Sequence, residues 1–97
     1  MIELKLKNEL ISIVLPAYNS SKYISITIES VLSQDYSNWE LIITDDCSTD
    51  NTFSILEEYA NKDERIKIYK LKANAGAAAA RNNSLKYCNS KFISFID

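Results

Sequence analysis

The stretch Leu41-Ile42-Ile43-Thr44-Asp45-Asp46-Cys47-Ser48-Thr49-Asp50 constrains this chain more than any other. It begins as a short apolar run and ends in carboxylates and hydroxyls. An apolar run bounded in this way reads as a buried strand of a parallel sheet. The polar cluster then stands at the carboxyl end of that strand, where open α/β sheets bind their ligands. Two adjacent carboxylates there are costly to bury without partners. The partners open to them are hydrogen-bond donors of a nucleotide, a metal ion, or backbone N–H groups of the next helix.

The other segments supply the rest of such a sheet. Leu10-Ile11-Ser12-Ile13-Val14-Leu15 is rich in β-branched residues and reads as the first core strand. Pro16 cannot donate to a ladder, so the strand is expected to end there, with a polar turn over Ala17-Tyr18-Asn19-Ser20-Ser21. Ser20 or Ser21 is a candidate cap for a helix that follows.

Residues 22–34 fit two patterns. Ile24, Ile26 and Ile28 alternate with polar residues as in a strand, whereas Ile24, Ile28, Val31 and Leu32 follow helical spacing. Helix is chosen because two buried parallel strands need a crossover, and no other segment offers one. Gln34–Trp39 reads as a loop whose two aromatics pack on the helix end. Ser48, Thr49 and Asp50 offer caps for the next helix, which places Phe53, Leu56, Tyr59 and Ala60 on one face. Arg65–Lys72 reads as a third strand, Ala77–Tyr87 as an alanine-rich helix and Lys91–Ile96 as a fourth strand. The order βαβαβαβ predicts an α/β fold: a doubly wound, mainly parallel four-stranded sheet with three helices, the Rossmann-like half of a larger domain.

Composition narrows the partners. At 97 residues there is room for one small domain. A net charge of −2 and a pI near 5.1, with lysines scattered along the chain, give no electrostatic case for nucleic acid. No apolar run reaches the ~20 residues of a membrane span. Cys47 and Cys88 lie far apart with no CxxC spacing, which fits a reducing cytoplasm, and histidine is absent. The first seven residues alternate apolar with charged, which fits a half-buried strand and equally a loose arm. The chain stops at Asp97, directly after an apolar strand. Domains more often finish on polar, frayed residues, so a piece of a longer protein is expected.

Pro16–Asn19, Asp45–Asp50, Asn74–Arg81 and Asp97 should meet along one rim, because right-handed crossovers make parallel strands end on the same side. Tyr18 could stack on a planar base. Asp45 or Asp46 could accept from a pyrimidine N–H or a ribose hydroxyl. Arg81 could neutralise a diphosphate or hold an aspartate, and Asp97 could ligate a divalent metal. Each residue alone has a plainer reading: packing for the tyrosine, capping for the carboxylates, solvent exposure for Arg81 and Asp97. Together on one edge they favour a nucleotide site. No GxGxxG or GxxxxGK[ST] is present, so dinucleotide and P-loop sites lose support.

These residues resemble the family-2 glycosyltransferases, inverting enzymes of the GT-A fold. Ile11–Asn19 looks like the opening VSVIIPxYN strand. Ser30–Gln34 with Trp39–Asp46 looks like the SVLxQ…WELIIVDD block. Asn74-Ala75-Gly76 with Ala80-Arg81-Asn82 is similar to NxGxxxARN, and Phe92–Asp97 looks like the strand entering a DxD motif. The resemblance covers residues 11 to 97.

It implies a nucleotide-binding set of Pro16, Ala17, Tyr18, Asn19, Asp45, Asp46, Arg81 and Asp97, with Asp46 reading the base, typically uracil. Asp97 would be the first DxD carboxylate and would hold Mn²⁺ or Mg²⁺ on the diphosphate of a UDP-sugar. The second DxD carboxylate and the acceptor's general base would lie outside this chain, so no catalytic residue is expected within it and the chain alone is expected to be inactive. Localisation would be cytoplasmic, with any contact to the inner membrane face made by regions beyond this chain. Cys47 stands where the family most often has glycine; it would be strained if that position needs φ > 0, and harmless otherwise. A competing class is a non-catalytic nucleotide-binding or self-associating module. The edge of the fourth strand, with Phe92 and Phe95, predicts a homo-oligomer in which residues 1–7 could serve as an exchanged strand.

Overall fold

The computed structural model describes residues 8–96. Residues 1–7, expected as a strand or a loose arm, and Asp97 lie outside the described residues. Seven elements follow in order: β1 (Ile11–Ala17), α1 (Ile24–Leu32), β2 (Trp39–Asp45), α2 (Thr52–Lys62), β3 (Ile66–Lys70), α3 (Ala77–Leu85) and β4 (Phe92–Phe95). The four strands form one parallel sheet in the order β3-β2-β1-β4. The chain winds outward from β1 to β3, then returns across the sheet to lay β4 on the other side of β1. The order therefore reverses at β1, the position at which doubly wound sheets open a crevice beyond their strand ends.

Alternation divides the sheet into two unlike faces. Ile13, Leu15 and Ala17 from β1 and Trp39, Leu41 and Ile43 from β2 face α1 and α2, where Ile24, Ile28, Val31 and Leu56 complete a continuous apolar core. The opposite face carries Ser12, Val14, Glu40, Ile42 and Thr44 and is covered by α3. That helix presents only Ala80 and Ser84 as buried residues, so its backbone approaches the strands closely. The Ser84 hydroxyl lies 2.7 Å from that of Thr44. Both faces of β2 are buried along its whole length, which explains why its central residues, Leu41 to Ile43, are apolar on both sides.

The helical spacing of residues 22–34 prevails over the strand pattern. Ile24, Ile28 and Val31 are buried, whereas Ile26 points away with 70% of its surface exposed. In a strand, Ile26 would have shared a face with Ile24 and Ile28.

Three local expectations change. β1 does not end at Pro16 but continues through it to Ala17, opposite Thr44 and Asp45. The Ala17 carbonyl accepts from Asp46 N–H on the β2 side, and the Val14 carbonyl accepts from Ile96 N–H on the β4 side. Pro16 shares Val14's orientation, so its missing N–H points past the last described ladder bond to β4. Neither Ser20 nor Ser21 caps α1 through its side chain: the Ser20 carbonyl receives the N–H groups of Tyr23 and Ile24 instead. Trp39 belongs to β2, where it is buried beneath the Arg65 guanidinium at 3.7 Å.

Candidate functional site

The residues after β1, β2 and β3 are tied together at the carboxyl rim. Asn19 is the first tie. Its N–H donates to the Ser48 hydroxyl at 2.8 Å, and its side-chain carbonyl accepts from Thr49 N–H at 2.8 Å and Asp50 N–H at 3.3 Å. Ser20 N–H donates to the Thr52 hydroxyl and Ser21 N–H to Asp50. Asp50 also accepts from Thr52 N–H at 2.9 Å, so it closes the start of α2 although the cap position itself falls on Asn51. The Thr52 hydroxyl, with help from the backbone, holds the Asp50 carboxyl down at about 2.

Asp45 and Asp46 are adjacent, buried and differently engaged. Asp45 follows Ile43 on the α1/α2 side, where both of its oxygens accept from Ser48, one from the N–H and one from the hydroxyl. Asp46 points the other way. Its Oδ1 accepts from Ala75 N–H at 2.7 Å, and its Oδ2 accepts from Gly76 N–H and the Asn74 amide, both at 2.8 Å. One carboxylate thus gathers residues 74–76 beneath the start of α3. Gly76 stands at φ 99°, a conformation that glycine adopts freely.

Cys47, between these two turns, has φ 61°. The left-handed position that the glycine comparison raised is therefore real, and cysteine occupies it.

A cavity of about 680 Å³ lies over this rim, lined by Pro16, Ala17, Tyr18, Ser20, Asp46, Asn74, Gly76, Ala77 and Arg81. Five residues named from the sequence meet on it: Pro16, Ala17, Tyr18, Asp46 and Arg81. Two others, Asn19 and Asp45, do not line it; both hold the turns behind its wall, and their side-chain acceptors are already engaged. Asp97 is outside the described residues. Ser20, Asn74, Gly76 and Ala77 were absent from the expected set, although the Asn74–Gly76 stretch, with the only glycine of the chain, marked the loop.

The cavity pairs a half-exposed aromatic ring, Tyr18, with a guanidinium, Arg81, and a buried carboxylate, Asp46. A carboxylate offers about four lone-pair positions. Asp46 fills three of them within the protein and retains one on Oδ1. That is room for a single N–H or O–H of a ligand, held by a carboxylate fixed in place. No group of three His, Cys, Asp or Glu side chains capable of holding a metal occurs among the described residues. Asp45 is bound through both oxygens to Ser48, and Asp46 keeps a single open position on Oδ1. No helix among the described residues is long and apolar enough to cross a membrane.

A doubly wound sheet with a polar, aromatic-flanked cavity at its switch point is the arrangement in which α/β domains hold ligands beyond their strand ends. Comparison with known proteins specifies the class. The model of the Glycosyl transferase family 2 matches residues 12–97, and the chain belongs to that family. It is 47% identical over 88 residues to the putative teichuronic acid biosynthesis glycosyltransferase TuaG of Bacillus subtilis, covering 91% of this chain and 35% of that protein. It is 49% identical over 89 residues to the Escherichia coli UDP-Glc:alpha-D-GlcNAc-diphosphoundecaprenol beta-1,3-glucosyltransferase WfgD, covering 91% of this chain and 34% of that one. The crystal structure of S. aureus TarS 1–349 in complex with UDP-GlcNAc superposes with a TM-score of 0.83 at 39% identity, over 90% of this chain and 26% of that one. The sheet and its helices are the Rossmann-like part of a GT-A fold. The chain spans about a third of the length of the two curated relatives.

Proposed function

We propose that this chain is the nucleotide-sugar-binding half-domain of an enzyme that transfers a sugar from a UDP-linked donor to an acceptor hydroxyl with inversion. The observation that carries this is Asp46: a buried carboxylate, held by three donors and with one acceptor position left, beneath a cavity flanked by Tyr18 and Arg81. Uracil offers one imide N–H, which matches the single vacancy. Tyr18 provides a face for the base, and Pro16 and Ala17 form the floor, where the Pro16 ring leaves no competing N–H. Arg81, one turn into α3, places positive charge beside the diphosphate. That TarS is seen with UDP-GlcNAc supports a uridine donor.

Mn²⁺ or Mg²⁺ would neutralise charge developing on the departing diphosphate. Asp97 is the residue of this chain assigned to hold it, because Phe92–Asp97 resembles the strand that enters a DxD motif. The second metal-binding carboxylate and the base that activates the acceptor are assigned to regions beyond these residues, so the chain alone binds donor and does not turn it over. Calorimetry with UDP, with and without Mn²⁺, tests the reading: saturable binding is expected, and no heat at millimolar UDP would overturn it. A self-associating role rests on a separate observation, the 53% exposure of Phe95 on edge strand β4. Light scattering is expected to show a dimer or larger assembly, and a monomer at high concentration would refute that role.

A further inference from the structure

The helix α3 and its cap supply three of the residues that line the cavity: Gly76, Ala77 and Arg81. Little apolar packing holds that helix. Of its nine residues only Ala80 and Ser84 are buried, and Leu85, its one larger apolar residue, is exposed. Interlocking side-chain ridges normally fix how a helix sits on its neighbours. A methyl and a hydroxymethyl group make a shallow ridge, which leaves the helix free to turn or slide unless polar ties stop it.

Such ties are present at three places. At the start of α3, Asp46 accepts from the Ala75 and Gly76 N–H groups. Past its end, Asn89 donates to Glu40, and the Tyr87 ring stacks on Tyr69 of β3 at 3.9 Å. Among the described residues, the side-chain hydrogen bonds from the helix itself to the sheet both go to Thr44. The Thr44 hydroxyl lies 2.7 Å from that of Ser84 and accepts from the Asn83 amide at 3.2 Å. Thr44 and Ser84 are wholly buried. Buried hydroxyls are costly unless they meet a partner, so this contact favours one seating of the helix over others. Arg81 stands between the tie at Gly76 and the tie at Asn83 and Ser84. Ser84 is three residues further on, ~4.5 Å along the axis. A small turn of the helix would swing the long Arg81 side chain across the cavity.

We propose that Thr44 is a positioning residue: its hydroxyl seats α3 through Ser84 and Asn83, and so fixes where Arg81 stands over the cavity. The inference rests on the nucleotide-sugar reading of the rim. Thr44 does not itself line the cavity, so it acts on a ligand through the helix and its arginine.

A double-mutant cycle tests this. UDP affinity is measured by calorimetry for the chain, for Thr44→Val, for Arg81→Ala and for the pair. Valine replaces the hydroxyl with a methyl of similar size; Ser84→Ala removes the same contact from the helix side and serves if the valine variant fails to fold. Thr44→Val should lower UDP affinity about fivefold in the unaltered chain and by less than about twofold where Arg81 is already alanine. Thr44→Ser keeps the hydroxyl and should bind within about twofold of the unaltered chain. A loss that persists without Arg81 would place the effect at Asp46, two residues along, and overturn the proposal; so would a serine variant as weak as the valine one, or no loss at all. Hydrogen exchange gives a reading without ligand. Ala80 N–H, bonded to the Gly76 carbonyl, should exchange about fivefold faster in Thr44→Val, with Asp46 N–H, bonded to Ala17, little changed. Equal acceleration of both amides would make Thr44 a general stabiliser and contradict its role in seating α3. If the unaltered chain binds no UDP, the reading of the rim fails, and the ratio of exchange at these amides still decides whether Thr44 seats the helix.

Discussion

Glu40, near the start of β2, and Asp46, one residue past its end, do similar work at opposite ends of the sheet. Each is buried, and each gathers a loop that leads into the next element: Asn89 before β4 for Glu40, Asn74–Gly76 before α3 for Asp46. They differ in completeness. Glu40 has four donors, one of them the ammonium of Lys67, and they fill its acceptor positions. Asp46 has three neutral donors and opens on a cavity. A carboxylate filled by its own chain is a clamp; one left a single acceptor short is a clamp with room for one further donor.

The largest expected effects come from removing each carboxylate. Asp46→Ala leaves the Ala75 and Gly76 N–H groups without an acceptor and should cost about 3 kcal/mol in denaturant unfolding. It should also abolish uridine binding. Glu40→Ala leaves the Lys67 ammonium, the Ser12 hydroxyl and two N–H donors of Asn89 without this acceptor and should cost a similar ~3 kcal/mol, yet uridine binding should survive at temperatures where the variant stays folded. Equal losses of uridine affinity in the two variants would break the distinction between rim and foot.

A smaller effect, of opposite sign, is expected at Cys47. An L-residue in the left-handed region is strained by ~1–2 kcal/mol, and part of that relief is lost to glycine's greater freedom when unfolded. Cys47→Gly should therefore stabilise the chain by about 0.5–1 kcal/mol, seen as a higher Tm with uridine affinity unchanged. A fall in Tm would show that the Cys47 thiol, 3.7 Å from the Lys72 carbonyl, holds more than this geometry indicates.

Acid should produce the smallest and most graded response. Burial pushes the Glu40 carboxyl up, but the hydrogen bonds from Ser12, Asn89 and Lys67 outweigh it and hold it below its ordinary 4.5. Asp50 is held at about 2 against an ordinary 3.8, chiefly by the Thr52 hydroxyl. Both folded values lie below the unfolded ones, so both groups stabilise above the unfolded value and lose that contribution as pH falls through the folded one. For Asp50 the window runs from 3.8 down to about 2. Asp50→Asn should flatten the fall of Tm across that window, and Glu40→Gln should flatten it starting from about 4.5.

Much of this was legible in the sequence, for identifiable reasons. Apolar runs over Ile11–Leu15 and Leu41–Ile43 announced central strands, and the crossover requirement settled Ile24–Leu32 as helix. The rim followed from strand direction. What stayed hidden depended on which way a side chain points and what it meets. Both faces of β2 are buried, so its apolar run could not show that Asp45 turns toward the helix pair and Asp46 toward the cavity. Asn19 looked like a ligand residue because its partners, Ser48 to Asp50, lie about thirty residues away. Pro16 read as a strand end because only the ladder shows that its missing N–H faces beyond β4.

The central claim is that the open carboxylate at the rim, and not the closed one at the foot, receives a nucleotide. Titration of the isotope-labelled chain with UDP, followed by amide NMR shifts, tests it most directly. The expected outcome is saturable shifts at Ala17, Tyr18, Ser20 and Asn74–Ala77, with Glu40, Lys67 and Asn89 unmoved. Shifts centred on Glu40 and Asn89, or none at millimolar UDP, would contradict it.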